Sequence, residues 1–139
     1  MFIASLNVIK LLTPKSNTGW IYNDFSIRQA FEKINHYGYK AMPIVDSYGY
    51  YKGVISTDDI LNYIREKQII DDKSLEKYYI SSISHIWSVK ALNCNASEEE
   101  VIDRINDCNF VPLIDDRGAY IGIITRKSVI NELYKKTKI

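Results

Sequence analysis

The feature that most constrains the fold of this chain is a duplication. The segment Pro43–Gly49 returns as Pro112–Gly118, and Gly53–Ser56 returns as Gly122–Thr125, both 69 positions later and without a gap. A chain of 139 residues with 46% hydrophobic residues is long enough for one compact body. The two copies are therefore expected to share a core, with any binding site between them.

Each copy predicts an amphipathic helix upstream of its proline. Ser26 with Gln29, and Ser97 with Glu100, have the spacing of capping boxes. The offset is 71 here, so the first copy holds two extra residues near Gly38. Apolar residues then recur at helical spacing: Ile27, Ala30, Phe31 and Ile34 in the first copy, and Val101, Ile102 and Ile105 in the second.

Two strands joined by a short Asp- and Gly-containing turn follow each helix, which predicts a hairpin. A second helix follows each hairpin, and a short strand is expected before each first helix. Each copy thus has the order β-α-β-β-α, and the predicted fold is α+β, with the two repeats packed sheet to sheet about a pseudo-two-fold axis. The strands are Ala41–Val45, Tyr51–Ser56, Phe110–Ile114 and Tyr120–Thr125, with short ones near Trp20–Tyr22 and Val89–Leu92; the second helices present Ile60, Leu61 and Ile64, and Val129, Ile130 and Leu133.

The predicted boundaries are an N-terminal helix in 1–14, a first repeat in 15–68, a linker in 69–86 and a second repeat in 87–139. The stretch from Phe2 to Leu12 is amphipathic, and it would be either a strut packed on the domain or a dimer contact. The linker is expected to hold a short helix plus extended chain.

Composition excludes several classes of protein. A net charge of +1 with 25% charged residues is not that of a basic nucleic-acid binder or an acidic disordered chain. No apolar run approaches the ~18 residues of a membrane span, and the start lacks the basic region of a signal peptide. Cys94 and Cys108 have no metal-like spacing, so they are expected to be buried, reduced thiols in a cytoplasmic protein. The charge and the short apolar runs lead us to expect no nucleic-acid or membrane partner.

Catalytic motifs are not found in the sequence. His36 and His85 are isolated, and no Walker loop, dinucleotide-binding glycine motif or zinc-protease motif is present. The run Glu98–Glu100 is interpreted as the first turn of a helix and not as a metal site. The chain is therefore expected not to be an enzyme and to carry no cofactor or metal.

The second helices of the two copies differ in charge at their starts. Thr125 would cap one, with Arg126 and Lys127 in its first turn, where cations oppose the helix dipole by a few tenths of a kcal/mol each. A bound phosphate would offset this cost; the alternative is an ordinary cap with two solvated basic residues. Ser56 would cap the other helix, whose Asp58 and Asp59 stabilise it and repel phosphate.

The repeated pattern of a hydrophobic residue, Pro, two hydrophobic residues and Asp, and then Gly-hydrophobic-hydrophobic-Ser/Thr, resembles the cystathionine β-synthase (CBS) domain. The pattern is Met42–Asp46 with Gly53–Ser56, and Val111–Asp115 with Gly122–Thr125. The resemblance implies a tandem pair with two clefts that usually hold adenine nucleotides, and a homodimer shaped as a flat disc.

The chain is also similar to stand-alone cyclic di-AMP-binding CBS proteins of Firmicutes, in Leu11–Pro14, Gly38–Pro43 and Gly122–Lys127. This similarity implies a regulatory module that senses an adenine nucleotide (cyclic di-AMP, AMP or ATP) and signals to an unknown effector protein. Two alternatives remain: a sensor of AMP, ADP or ATP, and a ligand-free structural module whose clefts are filled by Tyr39, Phe110 and Tyr120.

The resemblance implies that each cleft joins the strands of one copy to the second-helix start of the other. Asp59 holds the ribose-binding position, and Ser128 departs from it in the second copy. The first cleft would bind phosphate and stack adenine on Tyr39 or place it against Ile21 and Met42, with room for a larger ligand near Gly38. Its residues are Asn17, Gly19, Ile21, Tyr39, Lys40, Ala41, Met42, Thr125, Arg126 and Lys127; the second cleft, for ribose or vacant, has Lys90, Ala91, Leu92, Asn109, Phe110, Val111, Ser56 and Asp59.

Overall fold

The computed structural model describes residues 7–137, which fold into four α-helices, two small sheets and several short 3-10 helices. These residues form two compact units. The first-repeat unit is Gly19–Lys90, and the second-repeat unit joins the residues up to Thr18 with those from Ala91 onward. The predicted α+β class and the β-α-β-β-α order of each copy are confirmed.

In the first-repeat unit the central strand is β3 (Ala41–Val45), with β2 (Ile21–Tyr22) parallel and β4 (Tyr51–Ser56) antiparallel to it. The sheet of the second-repeat unit gains one strand from the start of the chain; its order is β1 (Thr13–Pro14), β7 (Tyr120–Thr125), β6 (Phe110–Ile114) and β5 (Leu92–Asn93). The hairpin strands have the predicted bounds. The elements are β1 (Thr13–Pro14), β2 (Ile21–Tyr22), α1 (Ile27–Tyr37), β3 (Ala41–Val45), β4 (Tyr51–Ser56), α2 (Thr57–Lys67), β5 (Leu92–Asn93), α3 (Glu98–Asp107), β6 (Phe110–Ile114), β7 (Tyr120–Thr125) and α4 (Arg126–Thr137).

Side chains that the duplication repeats fix the local structure. Both predicted capping boxes are present at the starts of α1 and α3. In the first hairpin, one Asp46 oxygen accepts the backbone N–H groups of Tyr48 and Tyr50, both at 2.9 Å. Asp115 does the same in the second hairpin. The repeated aspartate is therefore explained by its turn, because its side chain bonds the backbone that reverses direction.

Each unit has its own apolar core. Three residues that were predicted to lie on the apolar faces of the helices are exposed: Leu61 by 53%, Ile130 by 55% and Phe31 by 39%. In α2 the residue Tyr63, which was not predicted to face the core, is buried. The fully buried core includes Ile21, Ile27, Ile34, Met42, Ile44, Ile55 and Ile60 in the first-repeat unit, and Val101, Val111, Leu113, Ile124 and Val129 in the second.

The segment that precedes each repeat packs on the other repeat. The predicted linker forms three 3-10 helices, Ser74–Lys77, Ile80–Ser82 and His85–Ser88, whose apolar side chains join the first-repeat core. The predicted helix from Phe2 to Leu12 lies partly outside the described residues; within them, only a 3-10 turn at Ile9–Leu11 is helical. The chain then pairs with the second repeat as β1, Thr13–Pro14, so the last two residues of the range 1–14 predicted as helix form a strand.

Candidate functional site

In each repeat the entry to the first hairpin strand lies against the start of the second helix of the same repeat. The Lys40 carbonyl accepts the Thr57 N–H at 2.9 Å, and the equivalent Asn109 carbonyl accepts the Arg126 N–H at 2.8 Å. This arrangement brings Lys40, Ala41 and Met42 close to Ser56, and Asn109 and Phe110 close to Thr125, through the strand registers. The resemblance to CBS domains, by contrast, implies that each strand entry faces the helix start of the opposite copy.

That cross-repeat grouping joins residues of different units and stays a prediction. Within each unit, however, the structure shows the same arrangement of a strand entry and a helix start, named here the first-repeat half and the second-repeat half. Each half presents a strand entry, the N-terminus of a helix with its dipole, and the side chains of the first helical turn. The two halves differ in those side chains.

At the first-repeat helix start, both oxygens of Asp59 are engaged. Oδ2 accepts the Ser56 N–H at 2.8 Å, which with the return bond from the Asp59 N–H to Ser56 Oγ closes a capping box. Oδ1 contacts Nε2 of His85. The Asp59 side chain is 15% exposed and that of His85 is 62% exposed, so the histidine covers the carboxylate from the solvent side.

The prediction that His85 is isolated is therefore wrong. His85 belongs to the 3-10 helix His85–Ser88, which packs on the first repeat. This segment has no counterpart in the duplicated motifs, so no sequence pattern linked the histidine to Asp59.

At the second-repeat helix start, the predicted threonine cap is confirmed. Thr125 Oγ1 accepts the Ser128 N–H at 3.1 Å and shares a 2.7 Å hydrogen bond with Ser128 Oγ. Ser128, which stands in place of the aspartate of the first repeat, thus completes the cap. Lys127 is exposed beside it.

The guanidinium of Arg126 lies at the end of α3. Its Nε donates to the Ile105 carbonyl at 2.7 Å and its Nη2 donates to the Asn106 carbonyl at 3.3 Å. A helix C-terminus carries unpaired carbonyls and a partial negative charge, which a cation stabilises. The cost of placing Arg126 at the start of α4 is thus offset by the end of α3, and phosphate is not required to explain it.

The predicted ligand contacts differ widely in how far they are buried. Ile21, Met42 and Val111 have no exposed surface and belong to the unit cores. The expectation that adenine sits against Ile21 and Met42 stays a prediction. Of the other predicted contacts, Gly19 is buried; Ala41, Leu92, Phe110, Ala91 and Ser56 are half-buried; and Asn17, Tyr39, Lys40, Lys90 and Asn109 are exposed.

The three aromatic residues proposed as cleft plugs differ in the same way. Tyr120 is 3% exposed, and its hydroxyl shares a 3.0 Å hydrogen bond with Thr18 inside the second-repeat unit. Phe110 is half-buried. Tyr39 is 43% exposed and stacks on Tyr37, a residue that the sequence had not assigned to the site.

Across residues 7–137, no group of three or more His, Cys, Asp or Glu side chains is arranged to hold a metal ion. Over the same range, no helix has the length and apolar character needed to cross a membrane. Cys94 and Cys108 are free and half-buried, where full burial was expected. Glu98, Glu99 and Glu100 lie in the first turn of α3, as predicted.

Two curated proteins are similar to the chain at 24% identity. One, an uncharacterized protein of Methanocaldococcus jannaschii, matches over 101 residues, which are 73% of this chain and 23% of that protein. The other, a CBS domain-containing protein of Dictyostelium discoideum, matches over 119 residues, 81% of each chain. The chain thus spans under a quarter of the length of the first relative and most of the second.

Solved structures share the fold over nearly the whole chain. The Listeria monocytogenes CbpB protein in complex with c-di-AMP has a TM-score of 0.83 at 18% identity, covering 94% of this chain and 97% of its own. CBSX2 in complex with AMP has a TM-score of 0.75 at 19% identity, covering 95% and 98%. The sequence profile of the CBS domain family matches residues 14–66 and 83–135, which together are more than half of the chain. The chain therefore belongs to the CBS domain family and carries two CBS domains in tandem.

Proposed function

We propose that this chain is a regulatory module that binds an adenine nucleotide, with cyclic di-AMP as the first ligand to test. The observation that carries the proposal is the difference in charge between two equivalent helix starts, Asp58 and Asp59 against Lys127 and Ser128, in one fold. Proteins of the same fold hold c-di-AMP and AMP. A nucleotide has an anionic end and a neutral end, and the two halves suit one each.

The second-repeat half suits the phosphate. The N-terminus of α4 at Thr125 favours an anion through the helix dipole, and Lys127 adds an exposed positive charge. Arg126 already donates from two nitrogens to α3, so it contributes mainly long-range positive charge and its remaining donors. No aspartate stands in the first turn of α4 to repel an anion.

The first-repeat half suits the nucleoside. Tyr39 offers an exposed ring for stacking, and the strand entry at Lys40 and Ala41 offers backbone groups that recognise the edge of a base. Asp59 is the candidate for the ribose hydroxyls, which replace His85 on Oδ1 while Oδ2 keeps its capping bond.

Thermal unfolding with a nucleotide panel tests this proposal. Ligand at about 100 times its Kd stabilises a protein by about 2.7 kcal/mol, which for a chain of this size raises Tm by roughly 5–10 °C. We expect that rise with cyclic di-AMP and not with cyclic di-GMP or GMP. A rise with AMP, ADP or ATP alone favours the second candidate, a mononucleotide sensor, for which the AMP complex of CBSX2 is the supporting observation.

The third candidate is a ligand-free structural module. The buried Tyr120 is consistent with a filled interior of the second-repeat unit, but the exposed Tyr39 leaves the first-repeat half open. A Tm that no nucleotide changes would favour this module over a sensor. In either case we propose a binding protein and not an enzyme.

We further propose that the chain forms a homodimer through its second helices. Binding of the nucleotide would change the affinity of this dimer for an effector protein, with a coupling free energy of about 1–3 kcal/mol between the two binding events. Leu61 and Ile130 are equivalent positions, and both are more than half exposed. Sedimentation equilibrium should give twice the 16.1 kDa of the chain. We expect Leu61→Asp to give monomer and Asn62→Asp, which adds the same charge to the next residue, to stay dimeric; a monomeric wild type contradicts the dimer.

A further inference from the structure

The two residues that the first repeat has in excess of the second shape the end of α1. The helix ends at Tyr37, and Gly38 adopts the left-handed conformation with φ of 69°. The Gly38 and Tyr39 N–H groups then bond the Asn35 and Ile34 carbonyls at 3.2 and 3.3 Å. This Schellman-type end fixes the directions in which the two tyrosines leave the backbone. The second repeat ends α3 without it, in an extended Cys108.

The rings of Tyr37 and Tyr39 stack. Their centroids lie 5.6 Å apart with 25° between the planes, and the ring of His36 meets Tyr37 edge-on at 5.4 Å. Both tyrosines are nearly half exposed, at 45% and 43%. The pair is thus an aromatic surface open to solvent, and its member Tyr39 is one of the residues predicted to contact a ligand.

Gly19 forms the other side of Tyr37. A Cβ at Gly19 would lie 3.1 and 3.2 Å from two Tyr37 ring carbons and 2.5 Å from Cε of Met42. A side chain at this position would therefore require the Tyr37 ring to shift by a few tenths of an ångström and the end of Met42 to move. The Tyr37 ring is therefore confined between the Gly19 backbone, His36 and Tyr39.

An exposed tyrosine that a ligand must immobilise loses side-chain freedom on binding, which weakens affinity. Stacking on a neighbour that is itself confined removes part of that loss beforehand. We propose that Tyr37 is a positioning residue, which holds the Tyr39 ring flat for stacking by the purine of an adenine nucleotide. This inference rests on the proposed function, and it names a specificity element that the second repeat lacks.

Isothermal titration with cyclic di-AMP and AMP tests it on the full chain. We expect Tyr37→Ala to weaken binding about three- to tenfold, from the cost of ordering one side chain, and Tyr37→Phe to stay within about twofold of wild type, since the ring remains. Tyr48→Ala is the matched control, because Tyr48 is 85% exposed in the hairpin turn of the same unit. Tyr37→Leu keeps apolar bulk without a ring and should bind as weakly as Tyr37→Ala.

A double-mutant cycle separates positioning from a merely structural role. If Tyr37 acts through Tyr39, Tyr37→Ala weakens binding no further once Tyr39→Ala is present. Additive losses overturn the inference, as does wild-type affinity of Tyr37→Ala or Tyr37→Leu. Urea unfolding of each variant confirms that it is folded during titration. Wild-type protein that binds neither nucleotide overturns the proposed function together with this inference, whereas a binding wild type with an unaffected Tyr37→Leu overturns this inference alone.

Discussion

Replacing Gly53 with alanine is expected to lower the free energy of unfolding by about 3 kcal/mol, the upper range for forcing an added group into a packed interior. A Cβ at this position would meet the backbone carbonyl of Ile86 closer than any real contact, and it would lie 3.1–3.2 Å from the adjoining backbone atoms of Ile86 and Trp87. Backbone cannot rotate away as a side chain does. Strand β4 and the 3-10 helix His85–Ser88 must therefore separate.

Gly38→Ala is the control for this measurement by urea unfolding. Gly38 has φ of 69°, and a Cβ there meets nothing within 4 Å. Its replacement costs only the strain of a left-handed alanine, about 1 kcal/mol. If Gly53→Ala is no more destabilising than Gly38→Ala, the segment preceding the second repeat does not pack on β4 as described.

The equivalent Gly122 has the same role in the second-repeat unit. There a Cβ would collide with the carbonyl of Thr13 in β1, and φ of 148° adds strain. Each glycine thus admits the segment that precedes the other repeat. This close approach is the physical reason that both repeats have glycine at this position.

Replacing Arg126 with alanine is expected to have two separable effects. It removes the two hydrogen bonds to the end of α3, which should lower the free energy of unfolding by about 2 kcal/mol, a usual value for bonds from a charged donor. If the proposed function holds, it also removes positive charge beside Thr125. We then expect cyclic di-AMP to bind about tenfold more weakly, as for the loss of one charged contact.

Urea unfolding measures the first effect and calorimetry on folded protein the second. Arg126→Lys keeps the charge but loses the planar guanidinium. It should therefore lose most of the stabilisation that comes from the two hydrogen bonds to α3 and retain most of the affinity for cyclic di-AMP. Lys135→Ala, an exposed change later in α4, should alter neither. Full stability in Arg126→Ala contradicts the link to α3, and unchanged affinity in a folded Arg126→Ala contradicts the role in phosphate binding.

The sequence predicted the repeated parts of the fold well because each is determined by nearby residues. The strands Ala41–Val45 and Phe110–Ile114 and their hairpin partners have the predicted bounds. Asp46 and Asp115 make the turns, and the capping boxes begin α1 and α3. These are interactions over two to four residues, which a sequence pattern records directly.

The parts that the sequence did not predict depend on distant contacts. Pairing of β1 with β7 joins Thr13 to Ile123, and no pattern near Thr13 indicates it. The contact of His85 with Asp59 and that of Arg126 with Ile105 likewise cross between elements. Helical spacing predicts that Leu61 lies in the core because Leu61 belongs to the wide apolar stripe of α2. The spacing does not indicate which edge of that stripe is covered by the rest of the unit.

The central claim is that this tandem CBS pair binds an adenine nucleotide. The most direct test is isothermal titration of the chain, unfolded and refolded to remove any co-purified nucleotide, with cyclic di-AMP and in parallel with cyclic di-GMP. We predict saturable heat with cyclic di-AMP and none with cyclic di-GMP. The claim is contradicted if the refolded chain, shown to be folded by its cooperative urea transition, gives no saturable heat with cyclic di-AMP, AMP, ADP or ATP.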